Sequence, residues 1–309
     1  MKRNKIITLG AIAYLGMSLN TMAATDMEDV RDRLTMLENA GVEKGLTIGG
    51  EIGITYENTG NKEIVIDTAE LSFIYTVDER FQAEIVLEGE DKSDDGNIDN
   101  ATIGDVVLTG KFDKFGVSIG RYGAPFAASD TAFISGALVG RYDPTVKALS
   151  VNTELNGVSA IAWIEPNSTG DNNGLSVSYE ADNFTVGIDT IKHAGLDRDK
   201  ATNTATVAMV GRGTSIYGQV SFGDVTLIAE RTKVKNGDTV TQFEAQYALD
   251  DLTLMARADN SNAANDADDA TLIGATYDLA EGVSLAIENK NPKATGEKSV
   301  TTAQLVYTF

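Results

Sequence analysis

Residues 149–164 read Leu-Ser-Val-Asn-Thr-Glu-Leu-Asn-Gly-Val-Ser-Ala-Ile-Ala-Trp-Ile. Two runs that alternate between apolar and polar residues flank Asn156-Gly157, a strong signal for a two-residue hairpin turn. Folding the chain at this pair sets Leu149 opposite Ile164. Since apolar residues then meet apolar residues on one side of the ribbon, that side must contact an apolar phase.

The same two-residue period continues from Leu46 to Phe309, without helical periodicity. Short turns alternate with longer polar loops, as in membrane barrels, and an even number of strands lets the sheet close without an unpaired edge in lipid. The sequence therefore predicts an all-β fold, a sixteen-stranded antiparallel transmembrane β-barrel over residues 45–309. The strand candidates are 46–57, 64–77, 81–90, 101–112, 115–122, 147–155, 158–165, 174–181, 183–191, 205–222, 225–233, 240–249, 252–259, 270–279, 283–290 and 299–309.

One candidate strand, 205–222, is long, and its apolar phase changes along its length. Apolar residues occupy odd positions near Val207 and even positions near Phe222. An extra residue inserted into one strand causes such a shift, and Gly211-Arg212-Gly213 is a suitable place for this bulge. Two strands here would give an odd total and break the topology.

The N-terminal residues precede the barrel. Residues 1–24 have the layout of a signal peptide, with Lys2, Arg3 and Lys5 before a short apolar run. This run is too short for a membrane-spanning helix, which needs about 20 residues. Residues 25–42 predict a short periplasmic helix, because apolar residues recur there at heptad spacing. It is expected either to form a coiled coil that helps three barrels associate or to lie on the periplasmic mouth of the barrel. Its apolar residues are Met27, Val30, Leu34 and Leu37.

The composition restricts the partners of the chain. Its net charge is −21, which argues against nucleic acid as a partner. It contains no cysteine, so export does not rely on disulfides. A barrel in a membrane can be this polar overall, because only alternate residues face lipid and the lumen is wet.

The charged residues in the lumen phase of the predicted strands are mostly acidic. We expect a pore that prefers cations; alternatively, these groups are merely solvated and the loops determine selectivity. The lumen-facing charges are Glu51, Glu70, Glu84, Glu88, Asp105, Lys111, Glu230, Glu244, Arg257 and Glu288.

The longest loop covers about residues 123–146, after the fifth strand. If it folds inward, its charges form a constriction that sets ion selectivity. The alternative is a loop that packs over the mouth or into a subunit contact. The constriction candidates, in the loop and at its base, are Arg121, Asp130, Arg141 and Asp143.

The sequence contains little that supports a catalytic or metal-binding site. His193 is the single histidine, expected in an external loop, and no serine has a base marked beside it. Residues 91–102 partly match a calcium-binding loop, but Thr102 stands where that loop needs glutamate. We therefore expect a solvated acidic loop, no enzyme, no metal and no cofactor.

The C-terminal strand ends on an aromatic residue after alternating apolar positions. Leu305, Tyr307 and Phe309 share one face of this strand. The ending resembles the C-terminal signal of Gram-negative outer-membrane proteins, which implies that the barrel-assembly machinery reads it.

A narrower resemblance rests on three stretches. They are Leu46-Thr-Ile-Gly-Gly-Glu-Ile52, Val117-Ser-Ile-Gly-Arg-Tyr-Gly-Ala-Pro-Phe126 and Gln304-Leu-Val-Tyr-Thr-Phe309. Together with the heptad helix they resemble the LbtU-type siderophore porins. The resemblance implies a sixteen-stranded outer-membrane barrel and uptake of iron chelates. The third loop departs from the polar pattern of that family, since it is rich in alanine.

These observations predict a porin of the bacterial outer membrane that lets small hydrophilic solutes and ions diffuse passively. The expected partners are outer-membrane lipid, lipopolysaccharide, the barrel-assembly machinery and two further copies in a homotrimer. The alternative is a structural or adhesive barrel without an open pore. Conductance in planar bilayers separates the two, because a plugged barrel gives no current steps.

Overall fold

The structure is a computed structural model that describes residues 45–58, 62–90, 99–127, 131–138, 145–166, 171–194, 211–262 and 269–309. These residues form sixteen β-strands. Among them, no helix is long and apolar enough to cross a membrane. The strands are β1 (Leu46–Asn58), β2 (Lys62–Thr76), β3 (Phe81–Glu90), β4 (Asp99–Phe112), β5 (Phe115–Gly123), β6 (Thr145–Leu155), β7 (Val158–Glu165), β8 (Asn172–Ala181), β9 (Phe184–Ala194), β10 (Gly211–Phe222), β11 (Val225–Val234), β12 (Thr239–Leu249), β13 (Leu252–Ser261), β14 (Ala270–Ala280), β15 (Val283–Pro292) and β16 (Val300–Thr308).

Each strand pairs with its neighbours in the chain, and β1 pairs antiparallel with β16, so the sheet closes into a barrel. The predicted fold class is confirmed. In the β6–β7 hairpin, Leu149 pairs with Ile164 and Leu155 with Val158, as the alternation predicts. Asn156 takes a φ of 51° and Gly157 a φ of 79°, which are the left-handed conformations that this turn requires.

The predicted irregularity in the tenth strand is present. The pairing of β10 with β9 shifts register between Gly211 and Gly213. The strand begins at Gly211, so the remainder of the predicted segment, 205–210, lies outside the described residues. Residues 1–44 also lie outside them; the signal peptide and the heptad helix remain predictions.

The outer surface of the barrel carries a ring of aromatic side chains at the end with the short turns. These side chains are exposed and share the outward phase of their strands. Aromatic girdles of this kind mark the membrane–water interface of transmembrane barrels. The ring consists of Tyr75, Phe112, Phe115, Tyr179, Phe184, Phe222, Tyr247, Tyr277 and Tyr307.

The short turns connect neighbouring strands next to these aromatic residues. In the turn between β2 and β3, the Asp78 carboxylate accepts hydrogen bonds from the backbone N–H groups of Arg80 (2.8 Å) and Phe81 (2.9 Å). The hydrogen bond from the backbone of Arg80 is the main reason why the pKa of Asp78 lies below its usual value. This turn fixes the register of β2 and β3 at the end of the barrel with the short turns.

Candidate pore constriction

Part of the third long connection, between β5 and β6, lies inside the barrel. We call its described residues, 124–127 and 131–138, the inserted segment. Its first part is apolar and buried, with Phe126 fully inaccessible to solvent. The alanine-rich composition of this loop follows from the location, because the segment packs against an apolar patch of the inner wall. That buried cluster consists of Ala124, Phe126, Ala127, Val146, Ala148, Trp163, Ile191, Ala194, Val234 and Val240.

A glycine on the inner wall makes room for Phe126. A Cβ atom on Gly213 would lie 2.4 Å from Cζ of the Phe126 ring, closer than van der Waals contact allows. The bulged start of β10 therefore provides a recess that only glycine can line. This contact fixes where the inserted segment enters the barrel.

Farther along the inserted segment, two carboxylates of the barrel wall hold its backbone and hydroxyl groups. Glu244 on β12 accepts hydrogen bonds from Oγ1 of Thr131 (2.6 Å) and from the backbone N–H of Ala132 (3.2 Å). Glu288 on β15 accepts a bond from the backbone N–H of Ser135 (3.1 Å) and another from its hydroxyl group. Both carboxylates are buried, and bonds to charged acceptors are stronger than those between neutral groups.

Arg257 on β13 lies between these two carboxylates and contacts the segment with both terminal nitrogens of its guanidinium group. Nη1 donates to Oγ1 of Thr131 and to the carbonyl of Ser135, both at 2.9 Å, and Nη2 donates to the carbonyl of Gly136 at 3.1 Å. Nε forms an ion pair with Asp259 at 3.2 Å. A planar fork of donors suits several acceptors at once, which explains an arginine at this position.

A third carboxylate contacts the first part of the inserted segment. Asp189 on β9 accepts a hydrogen bond from the backbone N–H of Ala127 and another from Oγ of Ser176 at 2.6 Å. Ala127 has a φ of 57°, which an alanine rarely adopts. With the buried cluster on β6 and β7, the segment therefore contacts the wall from β6 to β15, along one side of the lumen.

The opposite side of the lumen carries accessible carboxylates. In the register of β1, β2 and β3, Glu51 pairs with Glu70 and Glu70 pairs with Glu88. The inward-facing Glu84 and Asp105 lie on the same wall. None of these five side chains is buried, in contrast to the carboxylates beneath the inserted segment. The accessible carboxylates of the described lumen wall therefore lie on β1–β4, opposite the strands that contact the inserted segment.

The predicted lumen-facing residues thus fall into two groups. Glu51, Glu70, Glu84, Glu88 and Asp105 line the accessible wall, and Lys111 points inward near the short turn after β4. The remaining four also have the inward phase of their strands but are at most 3% exposed, because the inserted segment covers its side of the barrel. They are Glu230, Glu244, Arg257 and Glu288.

Of the four predicted constriction residues, only Arg121 lies in the described part of the chain. Arg121 pairs with Val106 and has the outward phase of Ile119, and its guanidinium donates to the carbonyl of Ile103 on the outer surface. The prediction for Arg121 is therefore wrong, because strict alternation along β5 turns it away from the lumen. Asp130, Arg141 and Asp143 lie outside the described residues.

Two other sequence predictions concern His193 and the loop that partly matches a calcium-binding loop. His193 lies within β9 and not in a loop: Asn172 on β8 accepts its backbone N–H at 3.0 Å and donates to its carbonyl at 3.2 Å. The segment 91–98 falls outside the described residues. In the part of the chain that the structure describes, no group of three or more His, Cys, Asp or Glu residues could hold a metal ion.

The sequence prediction missed the residues of the inserted segment that make the contacts. Thr131 and Ser135, which are four positions apart in the chain, supply hydroxyl groups. Phe133 lies between them and is 5% exposed. The sequence contained one signal of these contacts, namely the large apolar residue Phe133 in a loop that is expected to be polar. It indicates that this part of the loop is covered, although not by which wall.

A comparison of the sequence with models of protein families agrees with the barrel fold. Residues 17–309 match the family model described as Gram-negative porin. The chain belongs to the Gram-negative porin family. It is an integral protein of the outer membrane. No curated protein sequence matches this porin closely enough to count as a relative.

Solved porin structures share the fold of this porin at low sequence identity. Salmonella typhi OmpF, in a complex with daunomycin, is 14% identical, covers 86% of this chain and 98% of its own, and has a TM-score of 0.67. A triple mutant of Rhodopseudomonas blastica porin is 15% identical, with a TM-score of 0.62 and coverage of 85% of this chain and 100% of its own. OmpT of Vibrio cholerae, with loop L8 deleted, is 15% identical, with a TM-score of 0.59 and coverage of 85% and 99%. The resemblance to LbtU-type porins in particular stays a prediction.

Proposed function

We propose that this porin conducts small hydrophilic solutes by passive diffusion and prefers cations. The observation that carries the proposal is the row of Glu51, Glu70 and Glu88, directly opposed across β1, β2 and β3. Like charges opposite each other on neighbouring strands destabilise a sheet. A cation that passes along this wall relieves the repulsion, whereas an anion is repelled.

The location of the row supports the same conclusion. The inserted segment occupies the β6–β15 side of the lumen, where its donors bind the buried carboxylates of Glu244 and Glu288 and Arg257 binds its carbonyl groups. Apart from Lys111 near the short turn after β4, the charges that stay accessible on the β1–β4 wall are carboxylates. A ring or row of one charge sign at a narrow passage is the common basis of ion selectivity in channels.

Planar-bilayer recordings in a tenfold KCl gradient test both parts of the proposal. We expect current steps and a reversal potential with the sign of cation preference, below the limit of about 59 mV for a perfectly selective pore. The triple variant Glu51→Gln, Glu70→Gln, Glu88→Gln should shift the reversal potential towards zero. A purified, folded barrel without current steps would instead support a structural role.

A charge-matched variant separates local from overall charge. Asp182, Asp224 and Asp250 are exposed residues of the short turns. Replacing all three by asparagine removes the same charge as the glutamate variant but leaves the β1–β4 wall intact. The reversal potential of this control should stay close to that of the unmodified porin. Equal shifts in both variants would mean that the row does not determine selectivity.

Two finer features belong to the proposal. We infer a homotrimer, since general porins with this barrel are often trimeric, and sedimentation in detergent checks it.

Uptake of an iron chelate rests only on the resemblance to LbtU-type porins. The accessible carboxylates favour cationic or neutral solutes, so liposome swelling with a neutral sugar and with an anionic chelate of similar size discriminates these substrate classes.

A further inference from the structure

Buried charge in this barrel is almost entirely negative. Among the buried residues that the structure describes, seven are carboxylates and only one, Arg257, is a cation. A buried charge is costly unless a counter-charge or hydrogen-bond donors compensate it. The seven carboxylates are Glu165, Asp189, Glu230, Glu244, Asp259, Asp269 and Glu288.

One of these carboxylates, Glu230 on β11, is compensated less than the others. Its Oε1 accepts hydrogen bonds from the hydroxyl group of Ser215 and from Oγ1 of Thr232 (3.3 Å), and its Oε2 is buried without a hydrogen-bond partner. Each of the other six accepts a hydrogen bond from a backbone N–H group or from Arg257. Two neutral hydroxyl groups on one oxygen do not balance the charge of Glu230.

The neighbour of Glu230 on the next strand is a buried glutamine whose amide makes no hydrogen bond. Gln242 on β12 pairs directly with Glu230 on β11 and with Asp259 on β13. It is 0% exposed, and neither its Oε1 nor its Nε2 has a partner. Asp259 binds Arg257 through Oδ2, whereas its Oδ1 is buried without a partner. Three buried oxygens without a donor therefore lie in one row across three strands, which we call the polar row.

We propose that the polar row, Glu230, Gln242 and Asp259, binds a calcium ion on the inner wall of the barrel. Carboxylate and amide oxygens are ligands that Ca²⁺ takes in proteins. Oε2 of Glu230, Oε1 of Gln242 and Oδ1 of Asp259 supply three of its about six to eight ligands, and water supplies the others. Since the third ligand is an amide, the row differs from the groups of three acidic residues or histidines that are absent from the described residues.

The register of the strands suits a single ion. Directly paired residues of antiparallel strands have Cα atoms roughly 4.5–5.5 Å apart. Ca²⁺ lies about 2.3–2.6 Å from its ligands, so two oxygens on opposite sides of the ion are about 5 Å apart. Glu230 and Asp259 flank Gln242 with this spacing. Their two negative charges favour a divalent ion over a monovalent one.

Rotation of the Gln242 amide is the simpler way to satisfy the row. Its Nε2 carries two N–H groups, which can donate to the carboxylates on either side. This arrangement leaves Oε1 of Gln242 buried without a donor and adds no positive charge. A calcium ion binds all three oxygens and compensates both carboxylates.

The ion also stabilises the part of the wall that holds the inserted segment. Gln242 precedes Glu244 by two positions on the inward face of β12, and Asp259 follows Arg257 by two positions on β13. We therefore expect bound calcium to raise the resistance of the folded barrel to urea. The inference does not depend on the proposed ion selectivity, because the carboxylates invoked there lie on the opposite side of the lumen.

Calcium titration of the detergent-folded porin, stripped of metal with a chelator, tests the proposal. Equilibrium dialysis with radioactive calcium should show a buried ion that Gln242→Met, of similar size without an amide, binds about tenfold or more weakly. Heat-modifiable gel migration in urea should show a higher midpoint with calcium than with chelator at equal ionic strength. Gln242→Lys sets an ammonium group between the two carboxylates, so its midpoint should be independent of calcium.

Two control variants separate the polar row from the other carboxylates. Glu165→Gln removes a buried carboxylate on β7, and Glu51→Gln, Glu70→Gln, Glu88→Gln removes accessible ones. Both should retain the calcium-dependent midpoint. Its loss in the triple variant, together with its retention in Gln242→Met, would overturn the proposal.

The unmodified porin alone also gives a decisive result, which requires no variant to fold. Equal midpoints with calcium and with chelator, or equal protection by sodium at the same ionic strength, would overturn the proposal. Either result would assign the polar row to rotation of the Gln242 amide. Neither would affect the proposed pore, which the reversal potential tests separately.

Discussion

The guanidinium carbon of Arg257 lies 5.0 Å from the centre of the Phe133 ring, within the range of a cation–π contact. The two residues come from β13 and from the middle of the inserted segment. Arg257 is 3% exposed and Phe133 is 5% exposed, so water is excluded from both. This contact, with the hydrogen bonds to Thr131, Ser135 and Gly136, holds the segment against the wall of the barrel.

Arg257→Lys should loosen the inserted segment without removing the positive charge. One ammonium group cannot reach all the acceptors that the guanidinium spans, and each lost bond of this charge-assisted kind contributes about 1.5–3 kcal/mol. We expect larger and noisier single-channel conductance. Arg121→Lys, the same change on the outer surface, is the matched control and should conduct like the unmodified porin. Identical recordings from both variants would show that Arg257 does not position the segment.

Ser135 and Glu288 should be energetically coupled. In Glu288→Gln, only one oxygen remains to accept the backbone N–H and the hydroxyl of Ser135. We expect each of Ser135→Ala and Glu288→Gln to lower the free energy of unfolding by about 1–3 kcal/mol. The double variant should lose less than the sum, with a coupling of about 0.5–3 kcal/mol. Urea titration monitored by heat-modifiable gel migration measures this, and additive losses would exclude a direct interaction.

Gly213→Ala should destabilise the porin, because the added methyl group collides with Phe126. Overpacking of a buried site typically costs about 1–3 kcal/mol. Gly218→Ala is the control on the same strand, since a Cβ there would lie 3.5 Å from its nearest neighbours, an ordinary contact. Adding Phe126→Leu to Gly213→Ala should restore part of the lost stability in urea. Equal effects of the two alanine variants would mean that the recess is not specific for Phe126.

Phe309→Ala should slow assembly of the barrel more than it changes the finished structure. The backbone N–H of Phe309 donates to the carbonyl of Gly50 at 3.0 Å, and its ring lies 5.6 Å from that of Tyr307. The alanine variant keeps the backbone bond, so the folded barrel should remain stable. Pulse-chase labelling followed by heat-modifiable gel migration measures the assembly rate. A rate unchanged from that of the unmodified chain would argue against Phe309 as an assembly signal.

The strands and their pairing could be predicted from the sequence because the information is local. Alternation fixes which side of a strand faces lipid, and a turn such as Asn156-Gly157 fixes the register of the hairpin that it closes. The same rule, applied strictly from Ile119, would have placed Arg121 on the outer surface. That error came from treating Arg121 as part of the loop, not from missing information.

The inserted segment could not be predicted in this way. Thr131 contacts Glu244, which is more than a hundred residues away in the chain, and no local pattern records that contact. For the same reason, alternation assigned Glu70 and Glu230 equally to the lumen. Only the path of the segment makes one of them accessible and buries the other to 2% exposure.

Because the chain contains no cysteine, single introduced thiols can locate the open passage. Ser72→Cys lies on the inward face of β2, on the same wall as Glu70, and Val240→Cys lies beneath the inserted segment on β12. A positively charged methanethiosulfonate reagent, added during single-channel recording, should reduce the conductance of Ser72→Cys in steps and leave Val240→Cys unchanged. Block of Val240→Cys with no effect on Ser72→Cys, or no conductance from either folded barrel, would contradict a water-filled pore along the β1–β4 wall.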